Sequence, residues 1–390
     1  DLEGARGIVS LVVALPIGFL GDHYPRYKVI GASSVILAVA VVALALGLIA
    51  DSLWLLVAGM IGVAIYNQFL FGLQSALVAE IVPREMRTVA LTRLQVVTSL
   101  GSASGPAIQM VLIAAAGRNH WTTSELHWAM MIGVPIFAAH LPTMLRLLML
   151  HGKAMEVCDG TRAALADGAA APGGGRDDAT APRTPGYNWI VAGLCEGSTI
   201  ITAIGSGMTF KYWPLFFKHD YKFSPAEVCA MQAAIYASVA TLNTFSPRVV
   251  KRLGRLTTAN LAQALATVSL FIIALHPLVV YAEVPLVLFR NGIMNTGGPL
   301  INAVIMDMVP DQHRGKWSSI ASLRRMSWSG TAFLGGMLSD SHDYRYAFLI
   351  TACVHTCSAS LVVAVNILTH VHNQRAKRAE ARAALCSAAG

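Results

Sequence analysis

Glu196, Arg290, Asn291, Asn295 and Asn302 stand inside stretches of the chain that are otherwise almost wholly apolar. Ionisable and amide side chains are costly in such surroundings, so they face a cavity or a partner helix, and their chemistry is solute recognition or proton exchange. Asn291, Asn295, Gly298 and Asn302 recur at helical spacing on one face, beside Arg290 and the helix-loosening run Gly297-Gly298-Pro299. Tyr66, Asn67, Gln68, Gln74 and Ser75 form a similar strip in an earlier apolar run. Hydrogen bonding between helices also favours Asn, Gln and Ser, and competes with the cavity reading at both strips. Glu196 lies eight residues into its run, roughly 12 Å deep at 1.5 Å per residue, and Arg324 and Arg325 lie at a similar depth from the same side. It is therefore either one half of a buried ion pair or a carboxylate whose charge is neutralised as its pocket dries, which would couple it to protons. Arg290, about 9 Å from the opposite edge, either attracts an anion or snorkels outward.

Signs of other chemistry are missing from the sequence. No Walker-type phosphate loop is present, so ATP is not the evident energy source, and no catalytic residue, metal ligand set or cofactor is assigned. The six cysteines, Cys158, Cys195, Cys229, Cys353, Cys357 and Cys386, form no metal pattern, and Cys353 with Cys357 on one helix face are expected to pack. His140 and His355 are expected to hydrogen-bond within the bundle.

The elements that position these residues must be membrane helices. Apolar residues make up 55% of the chain and charged residues 13%, against about 25% in soluble domains, so the charges cannot cover a globule of this length. Runs of about 20 apolar residues lie near 2–20, 29–50, 53–79, 94–116, 126–150, 188–210, 226–246, 257–275, 284–306, 317–339 and 346–369, eleven expected spans of an all-α polytopic membrane protein. Lysines and arginines collect on one set of connecting loops, including Arg26, Lys28, Arg84, Arg87, Arg248, Arg255, Arg314 and Arg375, whereas the opposite set holds Arg118, Lys211, Lys218, Lys222 and Arg345. Positive residues resist translocation, which places the 18–28 turn, the central linker and the C-terminus in the cytoplasm and Asp1 outside. The net charge of +8 is then a matter of topology, and nucleic acid is not an expected partner.

Between residues 151 and 187 the apolar period stops, and Ala-Ala-Ala-Pro-Gly-Gly-Gly-Arg-Asp-Asp leads into Pro182, Pro185 and Gly186. Such a composition buries too little surface to offset its ordering entropy and reads as a flexible cytoplasmic linker. It separates an N-terminal helical half, 1–150, from a C-terminal half, 188–369, which is followed by a basic tail over 370–390 suited to anionic lipid. The halves are related by a shift of 227 residues, which lays Glu80-Ile81-Val82-Pro83 and Arg87 over Asp307-Met308-Val309-Pro310 and Arg314. The same shift brings Gln68 onto Asn295 and Ser75 onto Asn302.

Residues 18 to 28, Gly18-Phe19-Leu20-Gly21-Asp22-His23-Tyr24-Pro25-Arg26-Tyr27-Lys28, form a charged turn between two apolar runs. The order G-x-L-x-D-x-x-x-R resembles the signature loop between the second and third helices of the major facilitator superfamily, with His23 in place of the usual Arg and Pro25 in place of a turn Gly. The resemblance implies two six-helix halves with a solute site between them, of which eleven spans are present here and the first helix is missing. It implies secondary active transport of a small organic solute by alternating access, with a proton as a candidate coupling ion, by a monomer in a lipid bilayer. A carrier-like sensor or scaffold that no longer transports is the alternative, and an enzyme is not expected. The strips around Tyr66 to Gln74 and Arg290 to Asn302 become the cavity-lining fourth and tenth helices. Asp22 and Arg26 would join Glu80, Arg87, Asp307 and Arg314 in a cytoplasmic gate, unless these are ordinary solvated loop charges. Gly101-Ser102-Ala103-Ser104-Gly105-Pro106 resembles the start of the fifth-helix motif of proton-coupled exporters, although Gln109-Met110 replaces its closing Gly-Gly.

Overall fold

The computed structural model describes residues 26–82, 86–117, 185–309 and 331–389 continuously, with scattered positions inside 13–24, 119–146 and 317–330. For 26–27, 71–77, 79–81, 185–188 and 370–389 the helical backbone alone is described. Among the described residues every regular element is a helix. These are α1 (Arg26–Ile49), α2 (Leu53–Ile81), α3 (Arg87–Ala116), α4 (Pro185–Phe210), α5 (Trp213–Asp220), α6 (Pro225–Leu253), α7 (Arg255–Leu275), α8 (Val280–Met294), α9 (Gly297–Met308), α10 (Ala332–Ser341) and α11 (Tyr344–Ala389). Among the described residues seven helical stretches are long and apolar enough to cross a membrane, namely Lys28–Ile49, Leu53–Leu70, Arg87–Ala115, Trp189–Asp220, Pro225–Leu253, Arg255–Leu275 and Tyr344–Thr369. The expected spans 2–20 and 126–150 fall largely outside the described residues, and of 317–339 the part 331–339 is described continuously, with scattered positions before it.

These helices are apolar on the outside. In α1 the exposed stripe is Val35, Val39, Val42, Leu46 and Ile49, while Ser33 and Ser34 are buried on the other face beside Leu37 and Val41. In α7, Leu261, Leu265, Val268, Ile272 and Leu275 point outward and Thr258, Gln263 and Thr267 point in. That inverted pattern suits lipid, where an outward hydroxyl or amide would go unsatisfied. Cys353 and Cys357 share the outward face of α11, so they are not packed in the bundle as expected; burial there falls to Thr351, Ala352 and His355.

Because apolar side chains gain little by leaving lipid, small residues and hydrogen bonds hold the bundle together. At Gly62 of α2 an added Cβ would lie 2.7 Å from the Cβ of Ala40 in α1, and at Gly335 of α10 it would lie 2.3 Å from the backbone oxygen of Met208 in α4. Ser358 of α11 is a polar hub: its hydroxyl donates to the Ser198 carbonyl at 2.7 Å, lies 2.7 Å from the Thr202 hydroxyl and accepts from the Gln263 amide at 2.9 Å. His355 is fully buried with its Nε2 3.3 Å from both the Ser206 hydroxyl and the Thr202 carbonyl, as expected of a histidine bonded within the bundle.

One expected span is not a continuous helix. The stretch 284–306 breaks at Asn295 and Thr296, giving α8 and α9. Asn295 Nδ2 donates to the Asn291 carbonyl at 2.8 Å, and the Thr296 hydroxyl bonds the Ile293 carbonyl, so side chains satisfy the last carbonyls of α8. Pro299 sits in the first turn of α9, where its missing N–H costs nothing. At the other extreme, α11 continues as helix through the basic segment 370–389 rather than ending with its apolar part.

Candidate functional site

A cavity of about 560 Å³ lies where α3 meets helices that follow residue 185. Leu91, Leu94, Gln95 and Thr98 of α3 supply one wall, and residues of α4, α6, α7, α8 and α9, with Arg324 and Trp328, supply the rest. The strip around Arg290 lies in it, since Arg290, Asn291, Asn295 and Asn302 all line the cavity. The α8–α9 break is what presents them: Asn295 ends α8 and points into open space, while Gly297, Gly298 and Pro299 bring bare backbone to the surface. Phe210, Tyr236 and Trp328 form an aromatic flank, with Phe210 5.9 Å from Trp328 and 6.2 Å from Tyr236 between ring centroids.

Arg290 does not snorkel. It is 2% exposed, its Nη1 donates to Asn291 Oδ1 at 3.1 Å, and its Nε and Nη2 have no hydrogen-bond partner among the described residues. Asn291 is itself fixed by donating to the Val287 carbonyl at 2.8 Å.

Glu196 and Arg324 come together, as the first of the two readings anticipated. Glu196 is buried with its Oε1 3.8 Å from Arg324 Nη1, and the Thr199 hydroxyl donates to the Glu196 carbonyl at 2.8 Å. Arg324 and Thr199 line the cavity and the carboxylate stands behind them; Arg325 lies outside the described residues.

The earlier strip is placed differently. Tyr66 is 2% exposed in a core with Leu37 and Val41, flanked by Val134, Ala138 and Leu141, and Gln68 is buried as well. Neither they nor Asn67 line the cavity, and the side chains of Gln74 and Ser75 are outside the described residues. The exporter-like glycines also lack a close neighbour: an added Cβ at Gly101 or Gly105 would meet nothing within 4 Å among the described residues.

At one end of the bundle, where α3 begins and α9 ends, Asp307 receives two cations. Arg87 Nη1 donates to Asp307 Oδ1 at 2.9 Å and Arg255 Nη1 to Oδ2 at 2.5 Å. The first contact joins the two sides of the linker, while the second lies within the later one. Arg87, with its side chain 7% exposed, also donates from Nε to the Val82 carbonyl at 3.2 Å. Of the other expected gate residues, Asp22 and Arg314 lie outside the described residues, as do the side chains of Arg26 and Glu80. The sequence reading missed Arg255 as a partner, counting it as a loop charge, and missed Gln263, Gln95 and Thr98 in the cavity wall, which the rule of polar residues in apolar runs could have found.

The opposite end carries a second cluster. Arg345 Nη1 lies 3.5 Å from Glu283 Oε1, its Nε 3.8 Å from Asp220 and its Nη2 3.1 Å from the Tyr221 hydroxyl, with the guanidinium 5.0 Å over the Phe216 ring. Burial pushes the Tyr221 hydroxyl above its ordinary pKa, and it donates to the Leu278 carbonyl at 2.8 Å. These groups clamp α5, α7, α8 and α11 together at their shared end.

Lipid-facing helices around a polar cavity that both sides of a linker build define a multi-pass membrane protein of the carrier class. The family model described as Major Facilitator Superfamily matches residues 3–183 and 197–387, and the chain belongs to that superfamily, whose members are transporters and not enzymes. It is 25% identical over 399 residues to multidrug resistance protein MdtD of Salmonella newport, covering 89% of this chain and 80% of that one. In three dimensions it resembles the Escherichia coli fucose:proton symporter FucP, with a TM-score of 0.68 at 12% identity over 93% of this chain and 90% of that one. The proton:xylose symporter XylE gives a TM-score of 0.65 at 16% identity over 92% and 84%. At such identities the structural likeness speaks for the fold alone.

Proposed function

We propose that this chain carries a small organic solute across a membrane by alternating access, with 1–150 and 188–369 as two halves that rock about the 560 Å³ cavity. The observation that carries the reading is the coincidence of that cavity with the Arg87–Asp307 contact, a charged contact between the halves at one end of the seam along which α3 packs on α6 and α9. A carrier needs two arrangements within a few kcal/mol of each other, and an ion pair near water can form and break where a dry apolar seam would not. The excess of basic loop residues assigns that end to the cytoplasm, so the arrangement described is closed inward. Asp22, Arg26, Glu80 and Arg314 belong to the same gate in this reading.

Proton coupling falls to Glu196 or to no residue of this cavity. Its 3.8 Å distance from Arg324 is long for a settled ion pair, and Arg324 borders the cavity, so a solute that draws on Arg324 would loosen the carboxylate's partner. Kinship with MdtD favours a drug-like organic cargo moving outward. Reconstitution of the full chain into liposomes, with uptake of a solute panel measured with and without a pH gradient, tests the proposal. Accumulation of any solute that vanishes in Asp307→Asn supports it. A folded protein that accumulates nothing under either condition would be a carrier-like sensor or scaffold.

A further inference from the structure

We infer that the solute is an organic carboxylate with a flat apolar body, its carboxylate held side-on by Nε and Nη2 of Arg290. The inference rests on the carrier reading in taking the cavity as the solute site. A guanidinium has five N–H donors, and among the described residues Arg290 commits Nη1 alone to a partner. The two atoms left over, Nε and Nη2, are the edge whose N–H bonds run parallel, the geometry that receives both oxygens of one carboxylate. Arg290 is 2% exposed and lines the cavity. An unpaired buried cation is retained at a cost that makes sense when its partner arrives with the solute.

The other charges around the cavity leave this vacancy uncancelled. Arg324 already has Glu196, whereas no acidic side chain pairs with Arg290 among the described residues. His355 lies within electrostatic reach and is bonded through Nε2 toward Ser206 and Thr202. The fork is also held in advance, because Asn291 is anchored to Val287 and in turn orients Nη1, making Asn291 a positioning residue. Next to it, Asn295 and Asn302 offer amides to further polar groups, and Phe210, Tyr236 and Trp328 offer ring surface to a flat body. A volume of 560 Å³ admits an aromatic acid and excludes large peptides.

The test uses matched acids and amides of equal shape: benzoate against benzamide, salicylate against salicylamide, nicotinate against nicotinamide. Thermal unfolding of the purified full chain at pH 7.5 should rise by about 2–4 °C with at least one acid at concentrations well above its Kd, and not with its amide. Arg290→Gln should weaken that acid at least about tenfold. Arg290→Lys, which keeps a point charge but loses the fork, should fall between. Equal effects of acid and amide, undiminished acid binding in Arg290→Gln, or no response to any of the three acids would each overturn the inference. If Arg290→Gln fails to fold, the acid–amide comparison in the unaltered chain and in Arg290→Lys decides alone. Uptake in liposomes separates this from the carrier reading: an acid that binds but never accumulates removes the carrier and keeps the anion site, whereas an accumulated neutral solute does the reverse.

Discussion

Neutralising Asp307 should open the end of the bundle that Arg87 and Arg255 hold. Asp307→Asn keeps the shape but leaves two guanidiniums, previously at 2.9 and 2.5 Å from its oxygens, facing each other without a carboxylate. A fully exposed pair contributes at most about 1 kcal/mol, while stranding one partner of a buried pair costs about 3–5 kcal/mol. Here the side chains of Arg87, Asp307 and Arg255 are 7%, 20% and 29% exposed, which puts the cross-linker contact between the limits. About 2 kcal/mol changes a population ratio roughly 30-fold, enough to turn a 99:1 preference for the closed arrangement into roughly 3:1. A single cysteine at Leu94, which lines the cavity on α3, reports this in a chain freed of its native cysteines. Labelling by a membrane-impermeant maleimide from the Arg87 side should accelerate at least about tenfold in Asp307→Asn. Arg255→Gln should not reproduce the effect, since Arg255 and Asp307 move together on one side of the linker. Unchanged labelling in Asp307→Asn, or equal acceleration in Arg255→Gln, would show that the contact holds nothing shut.

Glu196→Gln should lower stability by about 1–2 kcal/mol rather than the 3–5 of a sealed pair, because Arg324 is 29% exposed and can turn to the cavity; if Glu196 also carries the proton, solute exchange survives while pH-driven accumulation is lost. Normal melting together with normal pH-driven uptake would leave it neither role. Gly335→Ala sets a Cβ against backbone at 2.3 Å, so expression of folded protein should collapse, and a stable variant would mean that α10 and α4 are less tightly joined. The repeat relation predicts a counterpart of the Arg87–Asp307 contact between Glu80 and Arg314, to be seen as about 1 kcal/mol of coupling in a Glu80→Gln, Arg314→Gln double-mutant cycle and denied by strict additivity. Gly298→Ala meets nothing within 4 Å and gains up to about 1 kcal/mol of helix propensity, so it should slow turnover without loss of melting temperature; unchanged turnover would mean that the α8–α9 break is static.

How much of this was legible in the sequence depended on whether the information was local. The lipid-facing class was, because inverted helices need only long apolar runs, and the runs at 29–50, 257–275 and 346–369 match helices closely. The cavity face of α8 and α9 was legible too, since Asn291, Asn295 and Asn302 recur at helical spacing beside Arg290 in an apolar run. The strip around Tyr66 obeyed the same rule and yet Tyr66 and Gln68 are buried among helices, because periodicity assigns a face and cannot say whether a cavity or another helix covers it. Asp307 and Arg87 were both named as gate residues through the repeat, but their direct pairing and the part of Arg255 were not, since Arg87 lies 220 residues from Asp307 and Arg255 52, and nothing in the spacing announces a contact at that range. The break at Asn295 was signalled only as a weakness at Gly297-Gly298-Pro299. Its position depends on which carbonyls Asn295 and Thr296 reach, and that is decided by packing.

In the carrier reading proposed above, the break is also where cavity and gate would become one mechanism. Arg290 and Asp307 stand on the same 280–308 stretch, and a straight helix between them would run roughly 25 Å as a rigid rod. A rod would pass any tilt at the solute site straight to the gate. The chain instead interrupts it where the side chains of Asn295 and Thr296 share the Asn291 and Ile293 carbonyls with backbone N–H groups. A solute that drew on the Asn295 amide would compete with its bond to the Asn291 carbonyl, and Asn291 in turn steadies Arg290. Binding would therefore loosen the joint while engaging the guanidinium, leaving α9, packed between α3, α4 and α7, free to reorient with Asp307 at its far end. The energy involved is that of one or two exchanged hydrogen bonds, about 1–2 kcal/mol, comparable with the strength of the Arg87–Asp307 contact it must release. That match in size is what the Gly298→Ala and Asp307→Asn measurements test together, since a stiffened joint and a weakened gate should offset each other in the double variant if solute and gate communicate through this joint.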